Sequence, residues 1–249
     1  PFIIMTFLWA VWQDRCKYFM SLPEPPSLVK AANRIANLAL TTIYSSGKNN
    51  PSNEIKMNEL ATYPPKSAVK AYTDGSALGN PGPTGAGIIL VLPNTEIEEA
   101  THFSIALGEA DNNLGEMVGL YVALLQILLI LRHKPKNTPA LVFSDSLMCL
   151  LYVTSGWPTP TRKPIARRTR LLFNQMKNEF PFLRLYWIRG HIGIPGNELA
   201  DKDAKKAARW ARDNPGIESH YLPGKKGCIF PPNLDDFKTK ENLMLFVKH

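Results

Sequence analysis

The chain has 249 residues, of which 45% are hydrophobic and 20% are charged, a composition that excludes the highly charged, weakly apolar class of disordered proteins. A formal net charge of +8 indicates a polyanionic partner such as nucleic acid or an anionic surface. Three widely spaced cysteines, Cys16, Cys149 and Cys228, argue against a disulfide framework and against a zinc site. We therefore expect a folded, intracellular and non-secreted protein, with nucleus and cytoplasm both open.

The first 46 residues predict a helical N-terminal extension. Apolar residues recur at helical intervals over residues 2–19 and 27–44, and Pro23, Pro25 and Pro26 separate the two stretches. No basic segment precedes the first apolar run, no small-residue cleavage site follows it, and it is too short to span a bilayer. We expect two packed helices and no membrane contact. Because the chain begins with Pro1, we also expect it to be part of something longer.

Residues 47–67 are rich in Ser, Asn, Pro and Lys and show no periodicity, which predicts an exposed linker and a domain boundary. A domain over residues 68–212 follows, and its apolar patterning alternates between strand and helix periods. The predicted elements are strands at 69–73, 88–92 and 98–105, a helix at 113–133, a strand at 140–144, helices at 146–152 and 165–180, a strand at 183–188 and a helix at 197–212. This order predicts a mixed sheet covered by helices. The tail, residues 213–249, shows no motif.

The helix that contains residues 116–131 is apolar on nearly all sides, with Gln126 as its one strongly polar interruption. A helix on the surface of a domain normally has a polar face. We therefore expect its outer side to be covered by the N-terminal helices or by an upstream domain. A membrane span is disfavoured, because Glu116 lies in its predicted first turn and Gly119 and Gln126 lie inside it.

Four carboxylates fall at the ends of predicted elements: Asp74, Glu116, Asp145 and Asp201. Each alone has a structural explanation, because acids favour helix N-termini and turns. A buried, unpaired carboxylate is unfavourable and tends to pair, protonate or bind a cation. Clustered together, the four would suit Mg²⁺, which prefers oxygen ligands.

Short motifs in the same segments resemble ribonuclease H type 1. They are T-D-G-S at 73–76, G-N-P-G-P at 79–83, G-A-G at 85–87, N-N-L-G-E at 112–116, S-D-S at 144–146, R-G-H at 189–191 and G-N-E-L-A-D at 196–201. The matches occur in the family's order and cover about residues 68–208, which is more specific than any single motif. The resemblance implies an α/β, ribonuclease H-like fold: a five-stranded mixed sheet, three strands antiparallel and then two parallel, flanked by helices.

The resemblance also implies endonucleolytic hydrolysis of the RNA strand of RNA/DNA hybrids. Asp74, Glu116, Asp145 and Asp201 would hold two Mg²⁺ ions, with Mn²⁺ as a substitute, one ion activating water and the other stabilising the leaving 3′ oxygen. The products would carry 5′-phosphates. His191 would shuttle protons or assist product release, since imidazole titrates near neutral pH. Without the resemblance, a loop histidine with a structural hydrogen bond explains His191 equally well.

Two groups of residues are candidates for substrate contact. The resemblance assigns 2′-hydroxyl recognition to Gly75, Ser76, Asn80, Asn112 and Asn113. A basic run beside an aromatic residue would suit the phosphates of the DNA strand, and its members are Trp157, Arg162, Lys163, Arg167, Arg168 and Arg170. A solvated helix face is the alternative explanation of this run.

Residues 9–17, with two tryptophans and an R-C-K triplet, loosely resemble the region that follows the reverse transcriptase in non-LTR retrotransposon polyproteins. An upstream reverse transcriptase domain is therefore an expected partner. Two other functions compete. A catalytically inactive hybrid-binding module would not need four acids that repel phosphate. A related nuclease acting on DNA, such as an integrase or exonuclease, would not need the motifs suited to reading 2′-hydroxyls.

Overall fold

A computed structural model of the chain describes residues 51–155, 163–216 and 220–222, with side chains described over 57–155 and 164–216. The chain divides into two compact units, Pro1–Glu54 and Ile55–His249, and the described residues belong almost entirely to the second. The two predicted N-terminal helices, Trp157, Arg162 and most of the tail lie outside the described residues.

One mixed sheet forms the centre of the second unit. Its strands are β1 (Val69–Ala77), β2 (Gly82–Val91), β3 (Thr101–Ala110), β4 (Ala140–Ser144), β5 (Leu183–Trp187) and β6 (His220–Leu222), in the spatial order β5-β4-β1-β2-β3-β6. The strands β1, β2 and β3 are antiparallel, while β4 pairs parallel to β1 and β5 parallel to β4. The five predicted strands and their directions are therefore confirmed.

The sheet differs from the prediction at several strand ends and at its edge, and β1 and β2 extend into the segment predicted as the turn between them. Residues Ile97–Glu99 form a 3₁₀ turn, not the start of a strand, so β3 begins at Thr101. The tail contributes β6, which pairs antiparallel to β3 at the sheet edge. A three-residue strand is too short to show periodicity, which is why the sequence did not predict it.

Five helices accompany the sheet: α1 (Pro51–Thr62), α2 (Asn112–Leu131), α3 (Leu147–Thr154), α4 (Lys163–Glu179) and α5 (Pro195–Asp213). The helix α1 contradicts the predicted exposed linker over residues 47–67. Ala61 is buried, and its carbonyl accepts a hydrogen bond from the Tyr72 hydroxyl at 2.7 Å. Contacts with β1 therefore order a segment that has little helical periodicity of its own.

The sheet separates two hydrophobic clusters. The larger contains α2, α3 and α4, and the smaller contains α1 and the first turns of α5. The helix α5 approaches β2 very closely, because a Cβ atom on Gly87 would lie 2.0 Å from the Ala200 carbonyl oxygen. A row of buried alanines on α5 makes that approach sterically feasible.

The apolar helix α2 is a core helix. It packs against β1, β2 and α4, and Gln126 is buried. Among the described residues α2 is the one helix long and apolar enough to cross a membrane, and most of it is buried inside the protein. The helix α4 covers part of its outer side. Coverage by residues 1–46, which lie outside the described part, stays a prediction.

Candidate active site

Parallel pairing brings two of the predicted acids together. Thr73 and Ser144 are opposite each other in the β1–β4 pair, so Asp74 and Asp145, the next residues, lie side by side at one edge of the sheet. Glu116 joins them from α2. One oxygen from each of these three carboxylates lies within 4.8 Å of the other two. The structure therefore clusters three of the four predicted acids.

The helix α2 reaches the strand end because Gly75 has no side chain. A Cβ atom there would lie 2.3 Å from the Glu116 backbone nitrogen. The helix begins at Asn112, and its N-cap residue Asp111 accepts a hydrogen bond from the Leu114 amide at 2.9 Å. Glu116 consequently begins the second turn and does not lie in the first, because the helix starts one residue earlier than the apolar pattern indicates.

Burial makes two of these carboxylates, Asp74 and Glu116, difficult to ionise. Burial, followed by the negative charge of Asp145, raises the pKa of Asp74 to about 7, although the Gly75 amide donates to its Oδ1 at 2.7 Å and opposes the shift. Burial, followed by the charges of Asp74 and Asp145, raises the pKa of Glu116 well above its ordinary value. Among the described side chains, Glu116 Oε2 is one of the few buried polar atoms without a hydrogen-bond partner.

This donor set fits a divalent cation. Mg²⁺ and Mn²⁺ are bound by carboxylate oxygens, and a cation would offset the repulsion among three acids that share a small volume. Glu116 Oε2 is buried and has no hydrogen-bond partner, so it is available to bind a cation. Asp74, Glu116 and Asp145 are therefore suited to hold a metal ion, and no fixed positive charge belongs to the cluster itself.

The fourth acid, Asp201, lies at the wall of the same pocket, which has a volume of about 320 Å³. It is not within the cluster of three. Its Oδ2 accepts a hydrogen bond from Lys205 Nζ at 2.7 Å, one turn further along α5. Asp201 also lies in the second turn of α5 and not in its opening turn, because the helix begins at Pro195, two residues earlier than predicted. The structure thus places Asp201 in the pocket as half of an ion pair.

His191 also lines the pocket, in the loop between β5 and α5. It is exposed and adopts a positive φ of 57°. The preceding Gly190 lets this loop pack on the acidic cluster, since a Cβ atom there would lie 2.5 Å from Asp145 Oδ2. The predicted histidine therefore lies at the opening of the pocket, where its exposed side chain is accessible to a substrate.

The predicted 2′-hydroxyl contacts lie along one rim. Gly75, Ser76 and Asn112 line the pocket. Asn80 Oδ1 accepts a hydrogen bond from the Asn112 amide at 3.2 Å, which ties the turn after β1 to the start of α2. Asn113 is exposed beside them. Three of the five residues thus line the acidic pocket and the other two adjoin Asn112, while their contact with a 2′-hydroxyl stays a prediction.

The described members of the predicted basic run do not line the pocket. Arg167 is exposed and Arg168 is half-buried on α4, and neither lines the acidic site. Lys163 begins α4, but its side chain, like Trp157 and Arg162, is outside the described part of the chain. The run stays a prediction as a contact for the DNA strand.

Sequence reasoning missed two residues that support the site. Asn197 is 2% exposed, and its Nδ2 donates a hydrogen bond to Asp145 Oδ2 at 3.3 Å. Lys205 pairs with Asp201. A signal existed, because Asn197, Asp201 and Lys205 are spaced four residues apart on one helix and therefore share a face.

The chain is similar to known ribonucleases. The RNase H family model matches residues 66–209. Ribonuclease H of Pseudomonas savastanoi pv. phaseolicola is 32% identical over 162 residues, which cover 61% of this chain and 98% of that protein. Ribonuclease H of Aliivibrio salmonicida is 29% identical over 164 residues, covering 63% of this chain and 95% of that protein.

Similar solved structures include RNase H1 from Halobacterium salinarum, which is 26% identical with a TM-score of 0.44 and covers 57% of this chain and 98% of that chain. LC11-RNase H1 in complex with RNA/DNA hybrid is 24% identical with a TM-score of 0.46 and covers 58% of this chain and 99% of that chain.

Proposed function

We propose, because this chain belongs to the RNase H family, that its acidic pocket hydrolyses the RNA strand of RNA/DNA hybrids. The observation that carries the proposal is the cluster of Asp74, Glu116 and Asp145, with oxygens within 4.8 Å of one another at the pocket floor. A protein that only bound nucleic acid would gain nothing from three clustered acids that repel phosphate. Family membership and the cluster together support a ribonuclease H enzyme.

The cofactor of this site is a divalent metal, and we assign it to two Mg²⁺ ions with Mn²⁺ as a substitute. Asp74, Glu116 and Asp145 would hold them, and Asp201 would complete the set from the pocket wall. When bound, such ions stabilise the charge that develops on the attacking and leaving oxygens of a phosphodiester. Cleavage of the bond between phosphorus and the 3′ oxygen leaves 5′-phosphate and 3′-hydroxyl ends.

The protein's own groups orient the substrate and move protons. Asn197 fixes the rotamer of Asp145 by donating to its Oδ2, so this carboxylate is preorganised in the free protein. His191 at the pocket mouth is placed to receive or return a proton at its imidazole as the 3′ oxygen departs. Its exposure also suits release of the product.

Hybrid selectivity would arise at the rim formed by Ser76, Asn80, Asn112 and Asn113 and by the backbone of Gly75. Amide and hydroxyl groups both donate and accept hydrogen bonds, which matches a 2′-hydroxyl that does the same. On the DNA side, we assign phosphate contacts to the basic run, namely Trp157, Arg162, Lys163, Arg167 and Arg168.

We also propose that the chain derives from a retroelement polyprotein and functions inside the cell beside an upstream reverse transcriptase. The two tryptophans and the R-C-K triplet of residues 9–17 support the first part. Cysteine usage without a disulfide pattern supports an intracellular location. Sequencing the coding region upstream of Pro1 tests for the reverse transcriptase. An upstream region without a polymerase motif would contradict the proposed retroelement origin.

Cleavage of an end-labelled RNA/DNA hybrid with Mg²⁺ tests the main proposal, alongside single-stranded RNA and double-stranded DNA. We expect hybrid-only cleavage that is lost in Asp145→Asn. Asp213→Asn is the matched control, because it makes the same chemical change at an exposed residue at the end of α5. Tight hybrid binding without cleavage in Mg²⁺ or Mn²⁺ would instead establish an inactive binding module, and cleavage of duplex DNA would establish a DNA nuclease.

A further inference from the structure

The ion pair between Asp201 and Lys205 lies inside the acidic pocket. Lys205 Nζ is 2.7 Å from Asp201 Oδ2, and both residues line the pocket that contains the other three carboxylates. The Asp201 side chain is 16% exposed and that of Lys205 is 45% exposed. The pair is therefore partly desolvated and belongs to the site, unlike an ordinary surface salt bridge.

Lys205 opposes cations at this wall of the pocket. Among the described residues that line the pocket, Lys205 alone carries a fixed positive charge. Its ammonium group contacts the one predicted metal ligand that the structure leaves outside the 4.8 Å cluster. A divalent ion that binds Asp201 must displace this ammonium group from the carboxylate or remain beside it, and both alternatives are unfavourable electrostatically.

The helical backbone of α5 brings the Asp201 and Lys205 side chains together. Asp201 and Lys205 are one turn apart in α5, which is a continuous helix from Pro195 to Asp213 and packs on the sheet through buried alanines. In a helix, side chains four residues apart are neighbours, with the acid on the N-terminal side as the favourable order. The two groups therefore meet without any movement of other elements.

We propose that Lys205 is a positioning residue that holds Asp201 in an ion pair and thereby sets the concentration of divalent cation needed to fill the Asp201 side of the pocket. The inference rests on the proposed function, since it assumes that Asp201 is a ligand of the same metal site. It predicts two unequal binding events, a tighter one at Asp74, Glu116 and Asp145 and a weaker one that competes with Lys205.

Binding of Mn²⁺ to the full chain, followed by electron paramagnetic resonance of free Mn²⁺ and without any nucleic acid, tests the proposal. In Lys205→Gln we expect the weaker binding event to tighten by about three- to tenfold, given the strength of partly exposed ion pairs and of one charge near a cation. Lys205→Arg should bind as the natural protein does, because it restores the pair. Lys206→Gln removes the same charge from an exposed neighbour that does not line the pocket, and should change affinity by less than about twofold.

A second comparison places the effect at Asp201. In an Asp201→Asn background, Lys205→Gln should no longer tighten Mn²⁺ binding, because the partner carboxylate is gone. Equal Mn²⁺ affinity in Lys205→Gln and Lys206→Gln, or weaker affinity in Lys205→Gln, would overturn the proposal. The proposal would also be overturned if the only change in Lys205→Gln were weaker binding of the hybrid, because Lys205 would then be a phosphate contact. The absence of hybrid cleavage in the natural protein would overturn the proposed function. The Mn²⁺ affinities of the variants would then still decide whether Lys205 controls metal binding.

Discussion

At the residue scale, the two most deeply buried acids of the pocket oppose folding when they are ionised. Burial and the neighbouring charges raise the pKa of Asp74 to about 7 and that of Glu116 well above its ordinary value. The unfolded chain loses these protons near pH 4, so between pH 4 and pH 7 the folded state binds more protons than the unfolded state. Proton linkage then requires stability to fall as the pH rises.

We therefore expect the metal-free protein to lose stability between about pH 4 and pH 7. The contribution of Asp74 should be about 1 to 3 kcal/mol over this range. Asp74→Asn removes the ionisation, so its unfolding free energy should fall less with pH. Urea denaturation in a chelating buffer measures both slopes. Asp213→Asn, an exposed matched change, should keep the natural slope, and equal slopes for the natural protein and Asp74→Asn would contradict the assigned cause.

Asn197 is the residue-scale test of preorganisation. Its side chain is buried and donates to Asp145 Oδ2, while its own Oδ1 has no partner among the described residues. We expect Asn197→Ala to reduce hybrid cleavage by about ten- to a hundredfold, as removal of a group that orients a metal ligand does.

The matched control is Asn178→Ala, an exposed change on α4 that should leave the cleavage rate unaltered. Steady-state kinetics at fixed Mg²⁺ should show the loss in kcat. Thermal unfolding should change little, at a cost of about 1 kcal/mol for one hydrogen bond. A loss confined to stability, with kcat preserved, would assign Asn197 a structural role only.

At the element scale, the position of α2 on β1 determines where Glu116 lies. Two glycines lie at this contact, and they differ in the space that is available for a side chain. A Cβ atom on Gly75 would lie 2.3 Å from the backbone of α2, whereas a Cβ atom on Gly119 would meet its nearest neighbour at an ordinary 3.5 Å. The first glycine is a steric requirement of the helix–strand contact, and the second has room for a methyl group.

We expect Gly75→Ala to destabilise the protein by about 1 to 3 kcal/mol, because backbone atoms must move apart, and to displace Glu116 from the cluster. Gly119→Ala should stabilise it by about 0.5 to 1 kcal/mol, because alanine favours helix more than glycine does. Guanidinium denaturation compares the two, and hybrid cleavage should fall only in Gly75→Ala. Tolerance of both substitutions would show that α2 is less tightly docked than the distances indicate.

The helix α1 illustrates a second element-scale effect. Its sequence is rich in polar residues, yet Asn58 Oδ1 accepts a hydrogen bond from the Arg189 amide at 3.2 Å, beside the His191 loop. Together with the Tyr72 bond to Ala61, this contact links α1 to β1 and to the loop that carries the histidine. The helix α1, which precedes the first strand, therefore supports the site and is not an unattached linker.

At the scale of the whole molecule, the chain carries a net charge of +8, although its described pocket is lined by four acids. This distribution suits a polyanion that is bound by surface cations and cut at the carboxylates. We expect hybrid affinity to fall by about ten- to a hundredfold between 50 and 200 mM salt, as release of counterions from roughly three phosphate contacts requires. Fluorescence anisotropy with the Asp145→Asn variant measures this without cleavage.

Arg167→Gln should reduce the salt dependence by about one phosphate contact if the basic run binds the DNA strand. Lys134→Gln is the control, since this exposed residue follows the C-terminal end of α2, about 30 Å along the helix from the pocket. A salt dependence that is equally reduced by both variants would mean that the protein attracts the hybrid through its overall charge only.

Patterns between neighbouring residues were sufficient to predict the five main strands, the helices that follow them and the acids of the cluster, although β1 continues past Asp74. Strand and helix periods arise between neighbouring residues, and the family motifs are short and continuous. Asp74 and Asp145 lie side by side because β1 and β4 are parallel neighbours, a rule that applies before any coordinates are known, whereas Glu116 reaches them because α2 packs on β1 at Gly75.

Only the tertiary structure decided which side chains pair across elements. It ordered α1 within the predicted linker, added β6 and placed Asn197 on Asp145. Each of these outcomes depends on distances between segments that are far apart in the chain. Periodicity carries no information about such distances, because they are determined by how the elements pack.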